Sequence, residues 1–279
     1  MGEFEIKIES DSIFTIEAAY GPKGDKGDTG FPGDNPNVFD YTLRLTEPIH
    51  SQFKFYYNGN WFSPDWVVVT VAGQSNGLGN AYATDGDKTG AGEVWTWNGT
   101  EIVEATLGAL PFNDSGSVNN AAFHAAHRIS VEQQRPVFLI VHAIPGTTIG
   151  TWLPPYANNS NIPGTNWTGL NTKINAAFVS CSTELWNKDT IDVLLWQQGE
   201  GEYALGPLYT LSTDRYPTLL TGFFEADWAS PDMQVIVGQC LPQSAGGTAW
   251  QTNEEWAKML NWPRVKIAVG TGLVTTGHD

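Results

Sequence analysis

The 279-residue sequence is poor in cysteine, in basic side chains and in long apolar runs. Cys181 and Cys240 both lie in apolar stretches, so we expect reduced core residues and not a disulfide framework. Fourteen Lys and Arg residues against thirty Asp and Glu residues give a net charge of −16, which argues against nucleic acid or an anionic membrane surface as a partner. No run reaches the roughly 18 apolar residues of a membrane span, and no leader-type segment opens the chain, so neither membrane insertion nor a secretory leader is predicted.

Glycine, in contrast, is abundant and locally periodic. Residues 21–35 form five unbroken Gly-X-Y triplets. Glycine at every third position lets three polyproline-II chains pack around one crowded axis, so the pattern predicts a short collagen-like stalk and a homotrimer. A flexible Gly/Pro/Asp linker is the alternative interpretation, but composition and period favour the triple helix.

Hydrophobic patterning divides the remainder of the chain into three parts. Residues 1–20 alternate like one or two short strands and form an N-terminal attachment segment; residues 36–65, with a hairpin signal at Asn58-Gly59, form a small β neck. From residue 66 to 279, strands and helices alternate. The predicted strands are 67–72, 136–143, 191–196, 233–239 and 265–269, and the predicted helices are about 119–133, 169–187, 208–228 and 249–260. This alternation predicts an α/β fold with a doubly wound parallel sheet.

Ser75 lies in the turn that follows the first of these strands. Residues 67–72 are apolar without alternation, as in a parallel strand covered on both faces, and they lead into Gly73-Gln-Ser75-Asn-Gly77. The flanking glycines permit a sharp turn that exposes the hydroxyl at the carboxyl end of the strand, where open α/β sheets bind ligands. An ordinary Gly/Ser/Asn turn is the alternative to a catalytic nucleophile.

Acyl transfer by serine also needs a base, an orienting acid and donors for the developing oxyanion. Gln198 follows the third predicted strand, in Trp196-Gln-Gln-Gly-Glu200, and places a side-chain amide at the same edge of the sheet. Gly116 lies in a loop before a helix, where a backbone N–H can approach a ligand closely. Each alone is typical of a loop or a helix cap, but together with Ser75 they predict one site.

These segments resemble the successive blocks of the SGNH hydrolases, and within them the sialate O-acetylesterase and acetylxylan esterase type. The blocks are Gly73-Gln-Ser-Asn-Gly77, the Gly116 loop, Gly146-Thr-Thr-Ile-Gly-Thr-Trp152 and Trp196-Gln-Gln-Gly-Glu200, against family signatures Gly-Gln-Ser-Asn and Trp-His-Gln-Gly-Glu. The resemblance covers residues 66–279. It implies a flavodoxin-like, three-layer α/β/α domain that removes acetyl groups from carbohydrates without a metal or another cofactor.

The same resemblance implies the roles of individual residues. Ser75 would be the nucleophile, and the backbone amides of Ser75 and Gly116 with the side chain of Gln198 would be the oxyanion donors. Gln197 stands where the family usually has His, a residue that is not the general base.

The C-terminus departs from the family pattern, in which Asp-x-x-His on one loop supplies acid and base before a last helix. This chain ends Thr275-Thr-Gly-His278-Asp279. Either His278 is the base and lacks its usual acid, or Asp279 is the family's aspartate and the histidine follows the given sequence. The second alignment is favoured because the expected last helix is absent too, and a bare strand edge is a liability. It implies a domain truncated at its C-terminus, with the catalytic base missing or displaced in this chain.

The other histidines are expected to be structural; they are His50, His124, His127 and His142. His124 and His127 share a helix face at i, i+3 without a third ligand in the sequence nearby, so no metal site is predicted.

A second resemblance rests on the order of the segments. An attachment segment, a collagen-like stalk and a carbohydrate-active domain together resemble a bacteriophage tail fibre or tailspike. This likeness implies a homotrimer located in the virion, bound to other phage tail or baseplate proteins and acting on capsule or lipopolysaccharide glycan of the bacterial host.

Three functions therefore compete. The first is a carbohydrate O-acetylesterase on a virion fibre, and the second is a receptor-binding or structural fibre with a catalytically inactive hydrolase fold. The third is an α/β-hydrolase lipase, because Gly73 to Gly77 also satisfies Gly-x-Ser-x-Gly. That fold places strands before its nucleophile turn, whereas Ser75 follows the first core strand, so the third function is disfavoured.

Overall fold

Two compact units, Met1–Asp65 and Trp66–Asp279, make up the chain. The computed structural model describes residues 7–8, 53–57, 60–62, 65–74, 77, 81–82, 93–107, 111, 118–155, 163–182, 185, 188–199, 201–202, 211–240 and 249–268. The predicted collagen-like stalk, residues 21–35, lies outside these ranges.

The first unit contains a small antiparallel sheet. Its strands are β1 (Lys7–Ile8), β2 (Phe53–Tyr57) and β3 (Asn60–Phe62), in the order β1-β2-β3. Tyr57 of β2 pairs with Asn60 of β3, so two residues connect these antiparallel strands, as the Asn58-Gly59 hairpin signal predicts.

The second unit is built on a mixed sheet. Its strands are β4 (Val67–Gly73), β5 (Ala81–Tyr82), β6 (Val94–Trp97), β7 (Ile102–Glu104), β8 (Val118–Asn119), β9 (Val137–Ala143), β10 (Ile191–Gln197), β11 (Ala229–Gly238) and β12 (Val265–Ala268). Seven of them form one sheet in the order β12-β11-β10-β4-β9-β6-β7, while β5 and β8 pair separately. Every neighbouring pair in the large sheet is parallel except β6 and β7.

Helices cover both faces of this sheet. They are α1 (Ala121–Gln133), α2 (Thr165–Ser180), α3 (Tyr216–Glu225) and α4 (Ala249–Ala257), with 3₁₀ turns at Ile149–Trp152 and Lys258–Asn261 and a π-helical turn at Leu211–Arg215. Phe123 of α1 packs on one face, whereas Ile174, Phe223 and Trp256 of the other helices pack on the opposite face. All seven residues of β4 are buried, as its unbroken apolar run predicts.

The strand order identifies where a ligand can bind. Leaving β6 and β7 aside, the strands counted along the chain lie in the order 2-1-3-4-5, which is the flavodoxin-like order. The winding reverses at β4, whose neighbours β9 and β10 lie on opposite sides, so the carboxyl end of β4 meets the switch-point crevice. The predicted three-layer α/β fold is thereby confirmed.

One edge of the sheet departs from the predicted parallel arrangement, because β7 returns antiparallel to β6. The turn between them is held by Asn98, whose Oδ1 accepts hydrogen bonds from the backbone N–H groups of Thr100 (3.0 Å) and Glu101 (3.1 Å). Gly99 adopts a φ of 114°, in the left-handed region. Asn98-Gly99 is the same hairpin signal as in the first unit, but the flanking strands are too short to show a clear alternation.

Candidate active site

The turn that carries Ser75 is anchored at both ends. Ser75 and Asn76 lie outside the described residues, but their flanks do not. The Gln74 N–H donates to the Gln197 carbonyl oxygen (2.7 Å), and the Gly77 N–H donates to the Gln74 carbonyl oxygen (2.9 Å). The turn is therefore closed on itself and tied to the end of β10.

Gly73 is required at the end of β4 for two reasons. Its φ of 118° lies in a region that L side chains rarely adopt, and a Cβ at this position would overlap the backbone carbonyl of Gln197. Gln197, which stands where the resembling family has His, thus contributes its backbone to the support of the turn.

Asn120 fixes the other end of the turn. Its Oδ1 caps α1 by accepting hydrogen bonds from the N–H groups of Ala122 (2.8 Å) and Phe123 (3.1 Å), and its Nδ2 donates to the Gly77 carbonyl oxygen (3.0 Å). One buried side chain therefore sets both the start of the helix and the exit of the Ser75 turn. The cap preference of Asn predicts the first contact, but no local signal predicts the second.

Gln198 lies fully buried behind this turn. Its Nε2 faces three oxygens, namely the Thr147 carbonyl (2.7 Å), Glu202 Oε1 (2.7 Å) and Gln74 Oε1 (3.1 Å). An amide nitrogen carries two hydrogens, so these acceptors saturate it, and they also decide which end of the amide is the nitrogen. The oxyanion role of Gln198 stays a prediction, and it would require the amide to exchange one of these partners for the substrate.

Glu202 completes a buried loop network, by which we mean the side chains of Gln74, Gln198 and Glu202 with the backbone carbonyl of Thr147. Glu202 Oε1 also accepts a hydrogen bond from the Ile149 N–H (2.7 Å), and Gln74 Oε1 accepts one from the Gly201 N–H (3.1 Å). The network joins the chain segments that follow β4, β9 and β10. Sequence reasoning missed Glu202 and Thr147, because nothing local distinguishes them from solvent-facing loop residues.

Burial raises the pKa of Glu202, while the hydrogen bonds from Gln198 and Ile149 and the charge of Arg215 oppose that rise. Two atoms of the network, Glu202 Oε2 and Gln198 Oε1, are buried without a hydrogen-bond partner among the described residues. This part of the site therefore holds its polar groups away from bulk water, where hydrogen bonds are stronger and unpaired groups cost more.

Helix α4 contacts the segments that follow β10 and β11 at the same edge of the sheet. Thr252 Oγ1 donates to the Gly199 carbonyl oxygen (3.3 Å), and Asn253 pairs with both backbone groups of Cys240, accepting from its N–H (2.9 Å) and donating to its carbonyl (2.7 Å). A Cβ on Gly199 would lie 2.8 Å from Thr252 Cγ2. The loop after β10 is therefore fixed by packing as well as by hydrogen bonds.

His142 lies one residue before the end of β9 and is partly buried. Its ring meets Trp152 edge-on, with the centroids 5.6 Å apart. Burial, reinforced by the charge of Lys173 and opposed by a backbone hydrogen bond at Asn166, lowers the pKa of His142 to about 4. The imidazole is therefore neutral at physiological pH.

Some predicted features lie outside the described residues, and others can be located. Gly116, His278 and Asp279 belong to the first group, so their roles stay predictions. Cys181 and Cys240 are both buried and unbridged. Within the described ranges, no group of three or more His, Cys, Asp or Glu side chains could hold a metal ion, and no helix is long and apolar enough to cross a membrane.

Comparison with known proteins finds solved structures of similar fold and a matching family model. A protein from Arabidopsis thaliana has a similar structure, with a TM-score of 0.59 and 15% identity, covering 76% of this chain and 88% of that chain. NanS is also similar, with a TM-score of 0.52 and 14% identity over 76% of this chain and 80% of its own. At these identities the likeness shows the fold alone. No curated protein matches the sequence. Residues 66–279 match the family model described as carbohydrate esterase, sialic acid-specific acetylesterase, and the chain therefore belongs to this family of carbohydrate acetylesterases.

Proposed function

We propose that this chain is a carbohydrate O-acetylesterase of the serine type, with Ser75 as its nucleophile. The observation that carries the proposal is the position of the Ser75 turn, at the carboxyl end of β4 and at the switch point of the sheet. Both flanks of the turn are pinned by hydrogen bonds to neighbouring segments, which supports a fixed nucleophile. Family membership supports carbohydrate acetyl esters as the substrate class.

The proposed reaction has two halves. The Ser75 hydroxyl attacks the acetyl carbonyl carbon while a base accepts its proton, and the bond to the sugar oxygen then breaks as that oxygen receives the proton. Water next attacks the acetyl-serine and releases acetate. The resemblance to the SGNH hydrolases implies that the backbone amides of Ser75 and Gly116 and the Gln198 side chain hold the oxyanion, and that His278 and Asp279 are candidates for base and acid.

Hydrolysis of an acetyl ester by the purified native protein tests this proposal. Turnover of 4-nitrophenyl acetate and release of acetate from an O-acetylated bacterial glycan should both be lost, by about 10³-fold or more, in Ser75→Ala. Wild-type turnover by Ser75→Ala would contradict it. His278→Ala in the same assay separates the two alignments of the C-terminus, since loss of turnover identifies His278 as the base.

We further propose that the esterase domain is displayed on a trimeric virion fibre and acts on surface glycan of a bacterial host. The five Gly-X-Y triplets of residues 21–35 support this arrangement, as does the boundary between compact units at residue 65. The competing function is a receptor-binding fibre without catalysis. Glycan binding without acetate release, equal in wild type and Ser75→Ala, would favour that function.

Light scattering of the native protein tests the fibre. We expect the mass of three chains, and Gly27→Ala should loosen the trimer without unfolding the α/β unit because it puts a methyl group at the triple-helix axis. Asp28→Ala is the matched control. Asp28 follows Gly27 directly but lies at an X position, away from the triple-helix axis, so its substitution should leave the trimer intact. A monomeric native protein would contradict the proposal.

A further inference from the structure

Glu202 is fully buried, yet the proposed ester chemistry assigns it no step. A carboxylate in such a position costs free energy unless its hydrogen bonds compensate. Its Oε1 accepts two of them at 2.7 Å, from the Gln198 side chain after β10 and from the Ile149 N–H after β9. Both donors lie on loops at the same edge of the sheet as Ser75.

We propose that Glu202 is a positioning residue of the esterase, which holds Gln198 in place and through it the turn that carries Ser75. The inference rests on the proposed function, because Ser75 is taken as the nucleophile. Glu202 touches no substrate in this proposal and acts only through its neighbours.

The path from Glu202 to Ser75 has two hydrogen-bonded steps. Gln198 Nε2 bridges Glu202 Oε1 and Gln74 Oε1, and Gln74 is the residue directly before Ser75. Gln74 also receives the Gly201 N–H, next to Glu202 in the chain. The side chain of Gln74 is therefore held from two directions by the segment that Glu202 anchors.

Tight packing leaves this segment little room to adjust if Glu202 is removed. A Cβ on Gly201 would lie 2.5 Å from the Thr147 carbonyl oxygen and 3.3 Å from Gln74 Oε1, so the loops after β9 and β10 are in close contact. In such packing, loss of the Glu202 acceptor leaves the buried Ile149 N–H unpaired and Gln198 Nε2 with only the Thr147 carbonyl and Gln74 Oε1, so the loops must shift to satisfy the Ile149 N–H. A displacement of about 1 Å at the nucleophile is enough to cost about 10²-fold in rate.

Two substitutions separate the effect of the Glu202 hydrogen bonds from the effect of its charge. Glu202→Gln keeps an oxygen that can accept from both Ile149 and Gln198, whereas Glu202→Ala keeps neither. We expect Glu202→Ala to lower kcat by about 10- to 100-fold with KM within about threefold of wild type, and Glu202→Gln to restore kcat to within about threefold.

Glu255→Ala is the matched control. Glu255 is also a buried glutamate, and it accepts hydrogen bonds from the Ser212 N–H (3.1 Å), the Ser212 hydroxyl and Lys258. Among the described residues, none of its hydrogen bonds reaches the buried loop network. Its removal should lower the melting temperature and leave kcat unchanged when the protein is assayed well below that temperature.

Hydrogen exchange supplies a readout that does not depend on turnover. In the full chain, Glu202→Ala should speed exchange of the Ile149, Gly201 and Gly77 amides by about tenfold relative to Glu202→Gln, while Glu255→Ala should leave them unchanged. If Glu202→Ala retains wild-type kcat and wild-type exchange at these amides, the positioning role is wrong. If wild type hydrolyses no acetyl ester, the proposed function fails, and the exchange rates alone then decide whether Glu202 holds the turn.

Discussion

The two ends of β4 are held by different chemistry. We call the side of the central sheet where its parallel strands begin the amino edge, and the side where they end the carboxyl edge. At the amino edge, charged and partly exposed side chains satisfy the backbone: Asp192 Oδ2 accepts from the Val68 N–H (2.8 Å), and Lys188 Nζ donates to the Trp66 carbonyl oxygen (2.8 Å). Lys188 and Asp192 also pair with each other at 2.8 Å, with 19% and 29% of their side chains exposed. At the carboxyl edge, the buried side chains of Gln74, Gln198 and Glu202 hydrogen-bond to one another and to backbone groups of the neighbouring loops.

This difference shows that contacts at one edge can contribute mainly to stability, whereas contacts at the other edge fix the geometry of the loops. Water can replace a partner at the amino edge, so a lost contact there costs stability and little else. Water has less access to the buried loop network, so a lost partner there must be compensated by movement of the loops. Substitutions at the carboxyl edge should therefore change activity, and those at the amino edge should change stability alone.

Gly73→Ala should have the largest effect. The substitution combines an unfavourable φ with overlap of the new Cβ and the Gln197 carbonyl, so we expect a loss of at least about 3 kcal/mol in the free energy of unfolding, measured with urea. Gly99→Ala is the matched control, because Gly99 has a similar φ of 114° but nothing within 4 Å of the new Cβ. It should cost about 1 kcal/mol. Equal costs at both positions would show that the clash is relieved by an easy shift of the strand end.

Gln198→Ala should lower kcat for an acetyl ester by about 10² to 10³-fold with little change in KM. A loss of this size is expected if Gln198 is an oxyanion donor, or if it positions the Ser75 turn. Comparison with Glu202→Ala separates the two roles. An oxyanion donor predicts a larger loss in Gln198→Ala than in Glu202→Ala, whereas pure positioning predicts similar losses. Wild-type kcat in Gln198→Ala would remove this side chain from the site.

Asp192→Ala tests the amino edge. It leaves the Val68 N–H and Lys188 without their shared partner, so the free energy of unfolding should fall by about 1 kcal/mol. kcat should stay at the wild-type value below the melting temperature. Asp192→Asn keeps an acceptor for Val68 and should recover most of the stability. A fall in kcat in Asp192→Ala would mean that the two edges are coupled through β4.

Glu93→Gln should have an effect that depends on pH. Burial, with the nearby charge of Glu104, raises the pKa of Glu93 to about 7, although a hydrogen bond from Trp95 opposes the rise. A carboxyl whose pKa is higher in the folded state stabilises the protein in its protonated form, and this contribution is lost as the pH rises from about 4.5 through 7. The variant should be more stable than wild type at pH 8 and equally stable at pH 4, measured by urea unfolding. A gain that is independent of pH would contradict this assignment.

Several parts of the fold could be predicted because their signals are local. The apolar run of β4, the alternation of strands and helices and the glycine-flanked Ser75 turn each depend on residues close together in the sequence. The β6–β7 hairpin could have been predicted from Asn98-Gly99, had the short strands around it carried a stronger pattern. The starts of helices were less certain; α2 begins at Thr165, four residues before the predicted 169.

The sequence by itself determined the α/β class, the approximate positions of the main strands and the position of Ser75 after a buried strand. These features depend on hydrophobic periodicity and turn residues, which act over a few positions. Only the tertiary structure decided that Glu202 lies buried against Gln198, and that Gln198 reaches Gln74 across 124 positions of sequence. Such contacts follow from which strands become neighbours and how closely their loops pack. A glutamate that is buried in such a network and one that faces solvent have the same local sequence signal, and burial alone separates them.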